Sequence, residues 1–195
     1  MKRREYNTYG EYVEHQKKAR TTQRAISADD NKAHYDEFDE WFAVLKPHME
    51  LRGSRSVCLG PSFCIEVKYL RDKGSDCIGL DLVPEPPWSI EGDFHDMPFA
   101  DGEFDLVYSN ALDYMYDMEK FLAEVRRVAK VGGLVLFHLH LGQNESGGTS
   151  FESFRVDRPQ EATGEWCEVL LSERLERASG RSKNMNWTLL LKRLK

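Results

Sequence analysis

The residues able to do chemistry in this chain of 195 fall in a few short stretches. Gly60-Pro61-Ser62-Phe63-Cys64 is a tight loop built mostly of small residues, and Asp81 follows Gly60 by 21 positions. A carboxylate at that separation, closing a second strand, can accept both hydroxyls of a ribose while the loop after the first strand approaches the rest of a nucleoside. A dinucleotide site would want the three glycines of GxGxxG at a helix N-terminus, and this loop has one. A second acid, in Gly92-Asp93-Phe94, is placed to meet an adenine edge. His95, Asp113, Tyr114, His138 and His140 are candidates to take a proton from an acceptor. His138 and His140 alternate with Phe137, Leu139 and Leu141, so both face one way. With His95 or an acid they have metal-ligand chemistry, but that spacing is common by chance, and no metal site is expected.

These residues need elements to hold them. Ser56-Val57-Cys58-Leu59 reads as a buried strand ending at Gly60-Pro61, and Ile65 to Lys73 as a helix stopping before Gly74. Cys77 to Leu82 is a second strand with Asp81 at its C-terminal end, followed by the loop Pro84-Glu85-Pro86-Pro87-Trp88 and a short strand Ser89-Ile90-Glu91. Phe104 to Ser109 is the next strand. Met118, Phe121, Leu122, Val125 and Val128 then form one helical stripe that Gly132-Gly133 should end, before a long strand from Leu134 to Leu141. Cys167–Ser172 and Trp187–Leu191 are two further strands. Ahead of this core, residues 1–32 suit one short helix around Tyr9, Tyr12 and Val13. A second helix places Tyr35, Phe38, Trp41, Phe42 and Leu45 on one face and ends at Pro47. Strands alternating with helices imply a doubly wound, mostly parallel α/β sheet, with its ligand edge at Gly60–Cys64, Asp81–Trp88, Asp93–Met97, Asn110–Tyr114 and His138–Leu141.

Composition excludes other classes. At 41% hydrophobic, 31% charged and 11% aromatic the chain is neither disordered nor repetitive. No apolar run reaches the roughly 18 residues of a membrane helix, and the basic start lacks the apolar stretch of a secretory signal. Four cysteines without a CxxC pair read as reduced thiols of a cytoplasmic protein. The first 24 residues carry seven bases and three acids, and the last 22 carry seven bases and one acid, against an overall charge of −6. Basic ends on an acidic body allow an acidic partner, but a pI near 5.6 argues against nucleic acid, which needs clustered positive charge. Residues 142–164, rich in Gly, Ser and Glu, are expected to form a mobile loop.

One pattern is more specific. Gly92-Asp93 is followed after four residues by Pro98-Phe99 and after four more by Phe104-Asp105; Phe121-Leu122-Ala123-Glu124-Val125-Arg126-Arg127-Val128 then runs into Gly132-Gly133. Over residues 54–141 the chain resembles the class I S-adenosylmethionine-dependent methyltransferases. The resemblance implies a Rossmann-like sheet of seven strands with a C-terminal antiparallel hairpin. It implies S-adenosylmethionine as cofactor, held by Gly60, Pro61, Ser62, Asp81, Leu82, Gly92, Asp93, Phe94 and Asn110. Asp113 and Tyr114 would lie beside the sulfonium, making them, with His138, the catalytic candidates. It further implies one domain over 1–195, with a helical lid (1–50) covering a core (51–195).

The family's first motif is normally an acid followed by three alternating glycines. Here the acid position is Cys58, Gly60 is kept, and the other glycine positions hold Ser62 and Cys64. Ten residues between Asp81 and Gly92 leave no room for the usual helix after the second strand. The expected activity is methyl transfer to an unidentified small-molecule or protein acceptor. The alternative is a non-catalytic methyltransferase-like module that binds the cofactor or a partner, and a protein partner or a homodimer fits either reading.

Overall fold

The computed structural model describes residues 6–23, 35, 37–112, 115–139, 163–175 and 187–195. Helix α1 spans Tyr9–Gln23. Helix α2 (37–41) runs into a 3-10 turn at Phe42–Leu45. The core then follows: β1 Arg55–Leu59, α3 Ile65–Asp72, β2 Asp76–Asp81, β3 Ser89–Glu91, β4 Phe104–Ser109, α4 Met118–Val128, β5 Ala129–Leu139, β6 Cys167–Arg174 and β7 Trp187–Arg193. The strands form one sheet in the order β3-β2-β1-β4-β5-β7-β6, with β7 antiparallel to both neighbours and the other pairings parallel. This is the doubly wound α/β sheet with a C-terminal antiparallel hairpin that the sequence implies. The part of the 142–164 loop up to residue 162 lies outside the described residues. Among the described residues, no helix is long and apolar enough to cross a membrane.

The two faces of the sheet are buried by alternate residues of the same strands. Val57, Leu59, Val107, Val135, Phe137, Leu189 and Leu191 pack with Phe121, Val125 and Val128 of α4. Cys58, Leu106, Tyr108, Leu134, Leu136 and Leu190 pack with Phe38, Trp41, Phe42, Val67 and Leu70 on the opposite face. Central strands are therefore apolar throughout rather than alternating.

The step from β2 to β3 needs no helix. Gly79 pairs with Ser89 and Asp81 with Glu91, so β3 lies beside only the last three residues of β2. The connection retreats about two residues' rise before running parallel again.

One boundary departs from the sequence reading. Helix α4 stops at Val128, with Ala129 already extended, rather than at Gly132-Gly133. Ala129 pairs with Phe104 and Leu134 with Leu106, so the glycines form a bulge inside β5. Gly132 has φ +83°, and a Cβ on Gly133 would lie 2.9 Å from the Lys130 carbonyl and 3.1 Å from that of Phe104. Close backbone approach, not helix termination, requires glycine there.

Candidate active site

The loop leaving β1 alternates left-handed residues: Gly60 at φ +68°, Ser62 at +46° and Cys64 at +56°. Glycine adopts this conformation freely, whereas Ser62 and Cys64 each hold it at about 1–2 kcal/mol. The loop is fixed from within and from β2. Cys64 N–H donates to the Pro61 carbonyl (2.7 Å) and Gly60 N–H to that of Leu80 (2.9 Å), while Ser62 N–H donates to Asp81 Oδ2 (3.2 Å). A Cβ on Gly60 would lie 2.9 Å from the Ala111 Cβ and 3.5 Å from the Phe94 ring. The turns after β1, β2 and β4 therefore converge on one point.

At that point lies a cavity of about 210 Å³. Of the residues singled out in the sequence, Gly60, Ser62, Asp81, Leu82, Phe94 and Asn110 line it. Pro61 turns instead toward β2, where a Cβ on Gly79 would meet it at 2.7 Å. Gly92 is glycine for space, since a Cβ would lie 2.4 Å from Leu80 Cδ1. Asp93 does not line the cavity. Its Oδ1 accepts from His95 N–H (2.8 Å) and from His95 Nδ1 (2.8 Å), and His95 Nε2 accepts from Asp117 N–H (3.2 Å). Burial raises the Asp93 carboxyl, but the His95 hydrogen bonds outweigh it and hold it below the usual range. Asp93, read in the sequence as meeting an adenine edge, anchors His95 through Oδ1.

His138 is wholly buried among Trp41, Phe42 and Tyr108, with Nδ1 3.2 Å from the Tyr108 hydroxyl. Burial depresses it to about 3, so it is neutral and far from solvent. Asp113, Tyr114 and His140 lie outside the described residues. Among the described residues no group of His, Cys, Asp or Glu could hold a metal ion.

Two acids meet behind the loop. Burial raises Asp81, opposed by N–H donors from Val83 (2.9 Å) and Ser62 and by Arg20. Glu66, in the first turn of α3, is pushed up to about 8 by burial, opposed by nearby backbone N–H groups and Arg20 and assisted by Asp81. It therefore carries a proton at neutral pH. It also raises the thiol of Cys58, whose pKa is lifted mainly by burial and by neighbouring Cys77. A buried acid thus lies eight residues beyond Cys58, the position where the family normally has one.

Helix α1 roofs the cavity with Tyr12, Gln16, Ala19 and Arg20. The sequence reading expected a helical lid over residues 1–50 but did not single out Arg20. The signal was the stripe at offsets 0, 4, 7 and 8 from Tyr12, one face of a helix. Tyr12 docks at one end among Tyr6, Tyr9, Tyr116 and His95, ring centroids 5.3–6.0 Å away. At the other end Arg20 lies 4.6 Å over the Phe63 ring, donates through Nη2 to the Ser62 carbonyl, and pairs with Glu85 at 3.4 Å.

A seven-stranded sheet with a reversed last strand, and a pocket at the ends of β1, β2 and β4, define the Rossmann-like methyltransferase architecture. A family model described as a methyltransferase domain matches residues 57–137. Over 99 residues the chain is 33% identical to the tocopherol O-methyltransferase of Arabidopsis thaliana, covering 42% of this chain and 28% of that protein. Over 52 residues it is 46% identical to the ajmaline N-methyltransferase of Rauvolfia serpentina, covering 25% and 18%. The chain thus matches less than a third of the length of either.

Among solved structures, the Burkholderia thailandensis 1,6-didemethyltoxoflavin-N1-methyltransferase, bound to its substrate and S-adenosylhomocysteine, superposes with a TM-score of 0.72. It shares 13% identity, over 98% of this chain and 93% of that one. A Haloferax volcanii methyltransferase in complex with its Trm112 activator gives 0.65 at 18% identity, over 86% and 96%. Residues 57–137 thus match a methyltransferase domain, and the sheet around them has the fold of these solved methyltransferases.

Proposed function

We propose that this chain transfers the methyl group of S-adenosylmethionine to a nucleophilic nitrogen or oxygen of a small molecule, with a protein acceptor as the second class. The observation that carries the reading is the first loop. It keeps the left-handed backbone at Ser62 and Cys64 although both glycines are gone, opposite the Asp81 carboxylate. Strain kept in a loop that lines a cavity is what a binding function would retain.

The residues fit the cofactor. Asp81 is positioned for a ribose diol, with Leu82, Phe94 and Ala111 as apolar walls for an adenine. The backbone at Gly60 and Ser62 leaves room for the methionine part, and Asn110 closes the β4 side. The Asp81 carboxylate in the cavity suits a ligand bearing a sulfonium. When bound, S-adenosylmethionine supplies an electrophilic methyl on sulfur, and in-line attack on it requires mainly positioning and exclusion of water. The α1 roof would provide both as a lid of the same domain. His95, held by Asp93 and Asp117 beneath Tyr9, is positioned to orient an acceptor.

The names of the plant relatives and of the Burkholderia neighbour support small-molecule acceptors. The Haloferax complex supports an activator protein as a partner. The non-catalytic alternative gains nothing from this loop.

The test is formation of S-adenosylhomocysteine by the purified chain with a panel of amine and phenol acceptors, alone and with Asp81→Ala. Turnover with one acceptor class, lost in the variant, is expected. Turnover indifferent to Asp81 would overturn the site.

A further inference from the structure

Arg20 is 7% exposed and lines the cavity, yet its Nε and Nη1 atoms have no hydrogen-bond partner. A guanidinium has five N–H donors. Here Nη2 is committed to the Ser62 carbonyl and to Glu85, which leaves three donors buried and unmet. Leaving charged donors unmet in a buried site is costly, and such groups are normally paired.

The surrounding acids do not meet them. Asp81 spends Oδ2 on Ser62 N–H and Oδ1 on Val83 N–H. Glu85 reaches only Nη2. Glu66 is hydrogen-bonded to the backbone at the start of α3. Arg20 is also the one basic side chain among the described residues that line the cavity. The guanidinium is held in place by the Phe63 ring and by Ser62, so it cannot swing out to water without breaking both contacts.

We propose, building on the cofactor-binding reading above, that the free Nε and Nη1 donors of Arg20 receive the carboxylate of the cofactor's amino-acid end. Asp81 and Arg20 then divide the ligand between them. The carboxylate side chain takes the neutral diol of the nucleoside, and the guanidinium takes the one anionic group of the ligand. Because the same arginine grips the Ser62 carbonyl and projects from α1, filling the site would fasten the roof to the strained loop. The lid would therefore close on a ligand with a carboxylate and not on a bare nucleoside.

Calorimetric titration of the full chain and of Arg20→Met with two ligands tests this. One is S-adenosylhomocysteine, which has the carboxylate; the other is 5′-methylthioadenosine, which lacks the amino-acid end. The variant should lose at least tenfold in affinity for the first and stay within about twofold for the second. Equal losses for both would overturn the assignment, because Arg20 would then only hold the roof. No loss for either would overturn it in favour of ordered water at these donors. If the unmodified, folded chain binds neither ligand, the cofactor-binding reading falls and this assignment with it. Should Arg20→Met fail to fold, Arg20→Lys keeps the charge but loses the donor set, and an intermediate loss confined to S-adenosylhomocysteine is expected. Unchanged affinity in Arg20→Lys would count against the donor role.

Discussion

Two arginines show how differently one side chain is used at the two ends of the sheet. Arg127, in the last turn of α4, has every donor met. Nε and Nη2 reach the two oxygens of Glu124 (2.7 and 2.8 Å), Nη1 reaches the Phe99 carbonyl (2.6 Å) and Asp101 (3.0 Å), and Nη2 also reaches the Met97 carbonyl (2.9 Å). Glu124 in turn accepts from Met97 N–H at 2.6 Å. The network ties α4 to the 97–101 turn and asks nothing of a ligand. Arg20 is more deeply buried and has three donors with no acceptor. A satisfied arginine builds the fold, whereas an unsatisfied one in a cavity waits for something to bind.

That contrast can be broken most strongly at Arg127. Arg127→Met should cost about 2–3 kcal/mol of stability by orphaning Glu124 and two carbonyls, with the affinity of the folded protein for S-adenosylhomocysteine unchanged. Denaturant unfolding and calorimetry on one sample would check both halves. A stable variant with weakened binding would erase the distinction between the two arginines.

The second effect is a pH dependence at the ligand end. Glu66 is raised from its ordinary 4.5 to about 8, first by burial. Between about pH 4.5 and 8 the folded chain holds a proton the unfolded chain has lost, so this carboxyl's contribution to stability fades as pH rises through that window. Glu66→Gln should remove the slope. Relative to the unmodified chain it should gain at least about 1 kcal/mol on going from pH 6 to pH 9, or roughly 2–4 °C in Tm. Parallel melting curves at the two pH values for both proteins would contradict the buried, proton-bearing assignment.

The smallest effect concerns the strained loop. Ser62→Gly relieves a residue at φ +46° but loosens the unfolded chain, so it should fall between neutral and about 1 kcal/mol stabilising. Chemical denaturation would measure it, and a loss above about 1 kcal/mol would mean that the serine side chain supports the loop.

Much of this was legible in the residues. The order of strands and helices could be read because each run is short, apolar and bounded by glycine or proline. Phe104–Ser109 matches its expected bounds, and the absence of a helix after β2 follows from ten residues being too few. Asp81 at the end of β2 was legible from its spacing to Gly60.

Other features were hidden for physical reasons. Gly132-Gly133 looks the same in sequence whether it ends a helix or fills a bulge. His138 sits on a strand covered on both faces, so alternation could not say which face met the ligand. The Asp93–His95 pairing was hidden because residue spacing does not show which neighbour a carboxylate accepts from. Arg20 belongs to no motif; its unmet donors, like the burial of Glu66, show only in the coordinates.

Methyl transfer by this chain requires a cofactor held between Asp81 and the loop after β1. The most direct test is titration of ligand-free protein with S-adenosylhomocysteine, beside Asp81→Ala. A single site is expected, weakened on the order of 100-fold in the variant as hydrogen bonds to a charged acceptor are lost. Equal binding by both proteins would contradict it, as would no heat from a chain shown to be folded.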